Sequence, residues 1–295
     1  MKHIQILKTI KVISEVGSIR KAAEQLNITP SALTRKVLDF EDEIGIAIFE
    51  RISQGVRLNP AGELLLRHIN FQLADYDLFR SQIADLSNLK RGHINLVCSQ
   101  AFAGNFVPEQ VAAFRKKYPD VTVNVLVRDH IHGIASLIDY EADLALLLNP
   151  PPSSEVQELL TSHQHLCAVM NTSHPLAGRD SPLHLRECCD YVFALPLNFL
   201  AIRANLNEAL AAQGLTPRTG VESSSLEFLF SYILKESALT FQIAAGVPQT
   251  EPRLRVKTLA ERETSPLRVM LGQLRNRTLS LPALKLAEQM KSALV

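Results

Sequence analysis

Between Ser18 and Arg51 the chain sets out side chains suited to binding a polyanion. They are the hydroxyls of Ser18, Thr29, Ser31 and Thr34 and the cations of Arg35, Lys36 and Arg51. Guanidinium and ammonium groups neutralise phosphates, a guanidinium also pairs bidentately with guanine, and short hydroxyls reach phosphate oxygens or base edges. Charge is segregated here: residues 1–38 hold 7 Lys and Arg against 2 Asp and Glu, whereas residues 39–50 hold 0 against 5. The whole chain, with 31 basic and 30 acidic residues, carries a net charge of +1, so a broadly polybasic protein is excluded and any nucleic-acid site is a patch.

Other chemistry is sparse. The chain has no G-x-S-x-G elbow, G-x-G-x-x-G loop, P-loop or H-E-x-x-H helix, so catalysis has no visible carrier. The pairs His130/His132 and His163/His165, spaced by two, would each share one face of a strand. No cysteine or carboxylate stands at matching spacing, so surface histidines are expected, with no metal and no cofactor. Cys98, Cys167, Cys188 and Cys189 include no C-x-x-C pair and read as buried, reduced thiols. The adjacent Cys188 and Cys189 cannot easily close a relaxed disulfide, and a thiol-based redox response through them would require exposed thiols of low pKa. An α/β enzyme and a solute-binding protein compete with that redox reading as rival functions for the chain. No apolar run exceeds 5 residues, Leu144–Leu148 being one, which is far short of a membrane span. Lys8, Lys11 and Glu15 interrupt the N-terminal apolar stretch, so no secretory signal and a cytoplasmic location are expected.

The polyanion-binding side chains need a scaffold, and the sequence announces one. Ile4, Leu7, Ile10 and Ile13 line one face of a helix. Ser18 is a good N-cap for a short helix carrying Ala22, Ala23 and Leu26, and Thr29-Pro30 starts a third helix reaching about Glu43. In this third helix Leu33, Val37 and Phe40 face a core, leaving the polar leading end for the major groove of a helix-turn-helix reader. Residues 46–58 read as a small hairpin or wing around Gly55, with Arg51 and Arg57 available to phosphates. Asn59-Pro60 repeats the start signal. The helix behind it bears Leu65, Ile69, Leu73, Tyr76, Phe79, Ile83 and Leu86 at steps of 4, 4, 3, 3, 4 and 3, a coiled-coil-like seam that predicts dimerisation.

From His93 on, strand-like segments (94–98, 121–127, 143–148, 165–170, 190–195 and 238–243) alternate with helical ones (107–117, 131–140, 200–213, 224–235 and 281–294). Repeated βα units imply ligands at the carboxyl ends of strands. The candidate effector residues there are Ser99, Gln100, Asn149, Pro196, Asn198 and Gln242. Helix starts with free N–H groups favour an anionic effector.

The string Gly17-Ser18, Ala22-Ala23, Leu26, Thr29, Ser31-Ala32-Leu33-Thr34-Arg35, Glu41, Gly45, Ile48-Phe49, Arg51, Leu58 and Pro60-Ala61-Gly62 resembles the N-terminal region of LysR-type transcriptional regulators. Weaker matches at Arg91-Gly92, Phe114–Pro119 and Asp143-Leu144-Ala145 extend the resemblance over most of the chain. It implies an α/β fold class with an N-terminal winged helix-turn-helix at 1–59, a long linker helix at 60–90 and a periplasmic-binding-protein-like effector domain at 91–295. That domain would comprise subdomain I (about 91–162 and 268–295) and subdomain II (about 163–267). It also implies a sequence-specific transcriptional regulator of double-stranded DNA, controlled by a small-molecule effector, working as a dimer or tetramer, with Ser99 at a position often used for effector contacts. The chain departs from the family in three places. Thr29-Pro30-Ser31 replaces a common Ser-Gln-Pro, Asn59 stands where threonine is usual, and Lys235–Ala238 replaces a Gly-rich turn.

Overall fold

A computed structural model describes residues 2–86 and 91–294, which fall into two compact units divided after Ile83. In the first unit, α1 (Lys2–Val16), α2 (Ile19–Gln25) and α3 (Pro30–Ile44) are followed by the hairpin β1 (Phe49–Ile52) and β2 (Gly55–Leu58), then by α4 (Pro60–Leu86). The start signals act as the sequence indicates. Ser18 Oγ accepts from Lys21 N at 3.5 Å, Thr29 Oγ1 accepts from Ala32 N at 3.3 Å, and α3 stops at Gly45 in the left-handed region at φ 75°. Ile13, Ala22, Ala23, Leu33 and Val37 form one buried cluster, the two alanines letting α2 approach its neighbours closely.

The hairpin is fixed at both ends. Val56 N donates to Gly17 O at 3.0 Å, and a Cβ on Gly55 would lie 2.2 Å from that same carbonyl oxygen. Glu41 Oε1 accepts from Ile48 N at 2.7 Å and Phe49 N at 3.2 Å, while Asn59 Oδ1 caps α4 by accepting from Gly62 N at 2.9 Å. Asparagine thus fills the threonine position with the same capping chemistry.

The α4 stripe divides, which corrects the expectation of a continuous seam. Ile69 and Leu73 join Leu7, Ile10, Phe40 and Ile48 in a buried cluster, with Leu65 packed against it, so this half of the stripe serves the core of its own unit. The premise that no neighbour buries α4 fails there. Further along, Tyr76 is half-buried while Phe79 and Ile83 are 54% and 48% exposed; the Leu86 side chain lies outside the described residues.

The second unit opens with β3 (Gly92–Cys98), α5 (Gln100–Ala103), α6 (Phe106–Lys117), β4 (Val121–Val127), α7 (His130–Ile138), β5 (Leu144–Leu148) and β6 (Val156–Gln164). It continues through β7 (Leu166–Asn171), α8 (Leu185–Cys188), β8 (Val192–Pro196), α9 (Ala201–Ala212) and β9 (Arg218–Ser223). Then come α10 (Leu226–Ile233), β10 (Ala238–Ile243), a 3-10 turn at Ala244–Gly246, β11 (Leu254–Thr258), β12 (Leu267–Leu274) and α11 (Leu281–Leu294). One sheet has the order β4-β3-β5-β12-β6 and the other β11-β7-β10-β8-β9. The chain passes between them twice, at His165 and between β11 and β12.

Four strands, β6, β9, β11 and β12, are absent from the sequence expectation. Three of them are sheet edges, where exposed positions such as Glu158 and Arg255 break the apolar alternation. In β12 a register shift between Leu271 and Gly272 breaks the period instead. His130 and His132 begin a helix rather than sharing a strand face, because Asp129 caps α7 by accepting from Ile131 N at 2.9 Å and His132 N at 3.0 Å. His163 lies in β6 and His165 beyond its end, so neither pair forms a shared face. Among the described residues no cluster of His, Cys, Asp or Glu is arranged to hold a metal ion.

Candidate functional site

On the first unit, the leading end of α3 is a polar surface built on a buried base. Leu33 and Val37 anchor the helix, which leaves Ser31 and Arg35, one turn apart, exposed together. Other hydroxyls are engaged locally: Thr34 Oγ1 donates to Pro30 O at 2.9 Å, and Thr29 Oγ1 lies 3.2 Å from Ser31 Oγ as well as capping the helix. Lys36 is turned away from this face and borders a groove with His3, Gln5, Asp39 and Glu43. Arg51 is exposed on β1, whereas Arg57 pairs with Glu50 directly across the hairpin. That pair is exposed on both sides and holds Arg57 only weakly against a competing phosphate. Leu38, absent from the sequence candidates, is 52% exposed on the same face as Ser31 and Arg35 and adds an apolar group to this surface. Its signal was an apolar residue outside the Leu33–Val37–Phe40 set.

In the second unit, Ser99 stands at the carboxyl end of β3 as expected, but its hydroxyl already works within the chain. Ser99 Oγ accepts from Leu148 N at 3.0 Å and Ser99 N donates to Leu146 O at 2.9 Å, tying β3 to β5. The side chain also borders a cavity of about 20 Å³ with Arg128, His130, Ile202 and Leu226. A larger cavity of about 350 Å³ lies beyond, with Gln100, Ser225, Glu227, Phe230 and Gln242 in its walls; Gln100 and Leu226 border both. The first sheet contributes Gln100 through α5 and the second contributes the rest through α10 and β10, so the larger cavity lies between the two sheets of this unit.

The remaining sequence candidates are not brought to these cavities. Asn149 turns the chain after β5 at φ 50°, with its N–H donating to Arg268 O at 2.6 Å. Pro196 is buried and its carbonyl accepts from Arg203 Nη1 at 2.9 Å, while exposed Asn198 accepts from Asn207 Nδ2 at 3.4 Å. Asn149 and Asn198 serve loop structure, and Pro196 closes β8 opposite Ser223 of β9. Arg128, Ser225, Glu227 and Phe230 were missed; Ser225 was legible only as the cap of α10, which it is, accepting from Phe228 N at 3.1 Å.

The thiols are free, three of them buried and Cys189 half-buried. Burial pushes Cys98 up to about 12, and burial together with the neighbouring Cys189, Glu187 and Glu263 does the same for Cys188; Cys167 and Cys189 are also raised. A thiolate-based response through Cys188 and Cys189 lacks the exposed, low-pKa sulfur it requires.

Two protein-family models match the chain: one described as a bacterial regulatory helix-turn-helix protein of the lysR family over residues 4–63, and one described as the LysR substrate binding domain over 87–295. Among curated relatives, an uncharacterised HTH-type transcriptional regulator of Bacillus subtilis, YybE, is 24% identical over 211 residues, covering 72% of each chain. In fold, the chain is similar to full-length CbnR complexed with its target DNA, at TM-score 0.69 and 14% identity over 99% of both chains. The effector-binding domain of QuiR in complex with shikimate matches 69% of this chain and 97% of that one, at TM-score 0.56 and 19% identity.

Proposed function

Because the chain belongs to the LysR family of DNA-binding transcriptional regulators with a C-terminal effector-binding domain, we propose that it reads an operator through Ser31 and Arg35 of α3 and answers to a small molecule held between its two C-terminal sheets. The domains assigned are 1–59 for DNA binding, 60–90 as linker and 91–295 for the effector, and the role is regulatory rather than catalytic. Among the described residues no helix is long and apolar enough to cross a membrane, and the proposed working place is the cytoplasm, on double-stranded DNA.

The observation that carries the DNA reading is the pair of exposed side chains Ser31 and Arg35 on a helix whose opposite face is fixed by buried Leu33 and Val37. Ser18 and Thr29 support it as helix caps, Thr34 and Lys36 flank it, and Arg51 adds a phosphate contact from the wing. Arg35→Ala is expected to cost about 1–3 kcal/mol at the operator if the guanidinium holds a guanine, with relaxed preference at that position. A gel-shift titration over operator and scrambled DNA checks this, and unchanged operator affinity would remove Arg35 from the interface.

The proposed assembly is a dimer or tetramer through the second half of α4. Phe79 is 54% exposed on the continuation of a stripe whose first half is buried, which supports Tyr76, Phe79 and Ile83 as the pairing surface. Phe79→Glu is expected to weaken self-association about tenfold or more by placing a charge in an apolar contact. Sedimentation equilibrium reads this directly, and an unaltered dissociation constant would place the interface elsewhere.

A further inference from the structure

Gln242 is 1% exposed, yet its amide is only half used. Its Oε1 accepts from Ile243 N at 2.8 Å, which fixes the orientation of the amide, while Nε2 has no acceptor among the described residues. A buried N–H donor left without a partner is costly, and such groups in native proteins call for an explanation. This one borders the cavity of about 350 Å³. The chain also keeps the space clear: a Cβ at Gly246 would stand 2.7 Å from Gln242 Nε2 and 2.2 Å from Ala101 O.

The charge of the walls is equally informative. Among the described residues bordering this cavity Glu227 is the single charged side chain, and none is cationic. At the helix start on its edge, α10, Ser225 Oγ accepts from Phe228 N at 3.1 Å and Glu227 sits in the first turn. One N–H group of that helix start is therefore met by the protein's own hydroxyl, and the Glu227 carboxylate beside it repels an anion. Phe230 supplies an apolar wall.

Resting on the reading of this cavity as the effector site, we propose that its ligand is a small neutral or cationic molecule rather than an anion. It offers a carbonyl-type acceptor to Gln242 Nε2 and a hydroxyl or ammonium donor toward Glu227. The volume suits a molecule somewhat smaller than a typical drug.

A matched series of probes tests this on the full chain by isothermal titration: 4-aminobutanamide, 4-hydroxybutanamide, succinamate and succinate. All but succinate share an amide carbonyl, and the distal group runs from cationic through neutral to anionic. The expected order is 4-aminobutanamide tightest and succinate weakest, with 4-aminobutanamide ahead of succinamate by roughly fivefold or more, as expected for charges meeting near a protein surface. Glu227→Gln is expected to collapse that difference, and Gln242→Met to weaken the amide probes about tenfold, with Gln100→Met as the second variant should Gln242→Met fold poorly. Succinamate or succinate binding tightest, with sensitivity to Gln242→Met or Gln100→Met, would overturn the charge class while keeping the cavity as the site. No probe affinity that responds to either variant would overturn the cavity assignment itself.

Discussion

Arg277→Met is expected to destabilise the second unit by about 1–3 kcal/mol, the usual cost of taking the partner from a hydrogen-bonded charge that is largely shielded from water. Arg277 Nη2 meets Asp143 Oδ1 at 2.5 Å with the two side chains only 14% and 16% exposed. Arg277 Nη1 also donates to Ala142 O at 2.8 Å, and its guanidinium lies 5.5 Å from the centre of the Tyr140 ring. The other carboxylate oxygen, Asp143 Oδ2, accepts from Asn95 N at 2.8 Å. One side chain thus holds the start of β5 against β3 and against the loop between β12 and α11. Methionine keeps most of the apolar stem but leaves the part-buried Asp143 carboxylate without its cation, held by Asn95 N alone. Urea unfolding followed by circular dichroism measures the loss, and Asp143→Asn on top of Arg277→Met should recover part of it by removing the stranded charge. A loss below about 1 kcal/mol would mean that water reaches the pair and screens it as it does surface pairs.

Gly62→Ala is expected to cost about 2–3 kcal/mol, against the gain of up to about 1 kcal/mol that helix propensity alone predicts. Gly62 lies in the first turn of α4, and a Cβ there would fall 2.2 Å from Ile48 O and 2.8 Å from Leu58 Cδ2. The first neighbour is backbone and cannot rotate aside. Relief must come from moving α4 away from the Ile48–Phe49 segment, which disturbs the Glu41 contacts that set the wing, so operator affinity should fall with stability. Gly104→Ala is the control: nothing lies within 4 Å of its Cβ position and its φ is −84°. Its stability should stay within about 0.5 kcal/mol of the parent. Equal effects of the two substitutions in thermal unfolding would refute the steric account.

Local signals in the chain agree with the fold where a single short-range interaction decides the outcome. Thr29-Pro30 starts α3, Asn59-Pro60 starts α4, and the Leu33–Val37–Phe40 spacing buries the face it predicts. Edge strands such as β6 and β11 were not legible, because an edge position tolerates polar residues and the apolar alternation that marks a strand disappears. The candidate effector residues divide for a related reason. Ser99, Gln100 and Gln242 reach the cavities, whereas Asn149 and Asn198, equally close to strand ends, are turned into loop hydrogen bonds, and Pro196 stays buried in β8 with its carbonyl held by Arg203.

Caps, periodicity and motif spacing act within a few residues, which is why the helix-turn-helix with its wing, the long helix after Asn59, the α/β character of the remainder and the family could all be read along the chain. How the α4 stripe is shared between its own core and an open surface could not, because burial of Ile69 and Leu73 depends on α1 and α3 arriving beside them. The same holds for the commitment of Ser99 to β5 and for the unpaired donor of Gln242 at a cavity walled by a carboxylate. Whether a polar group is satisfied depends on partners far along the chain, as Leu148 is 49 positions from Ser99 and Arg277 is 134 from Asp143, and spacing along the sequence carries no record of them.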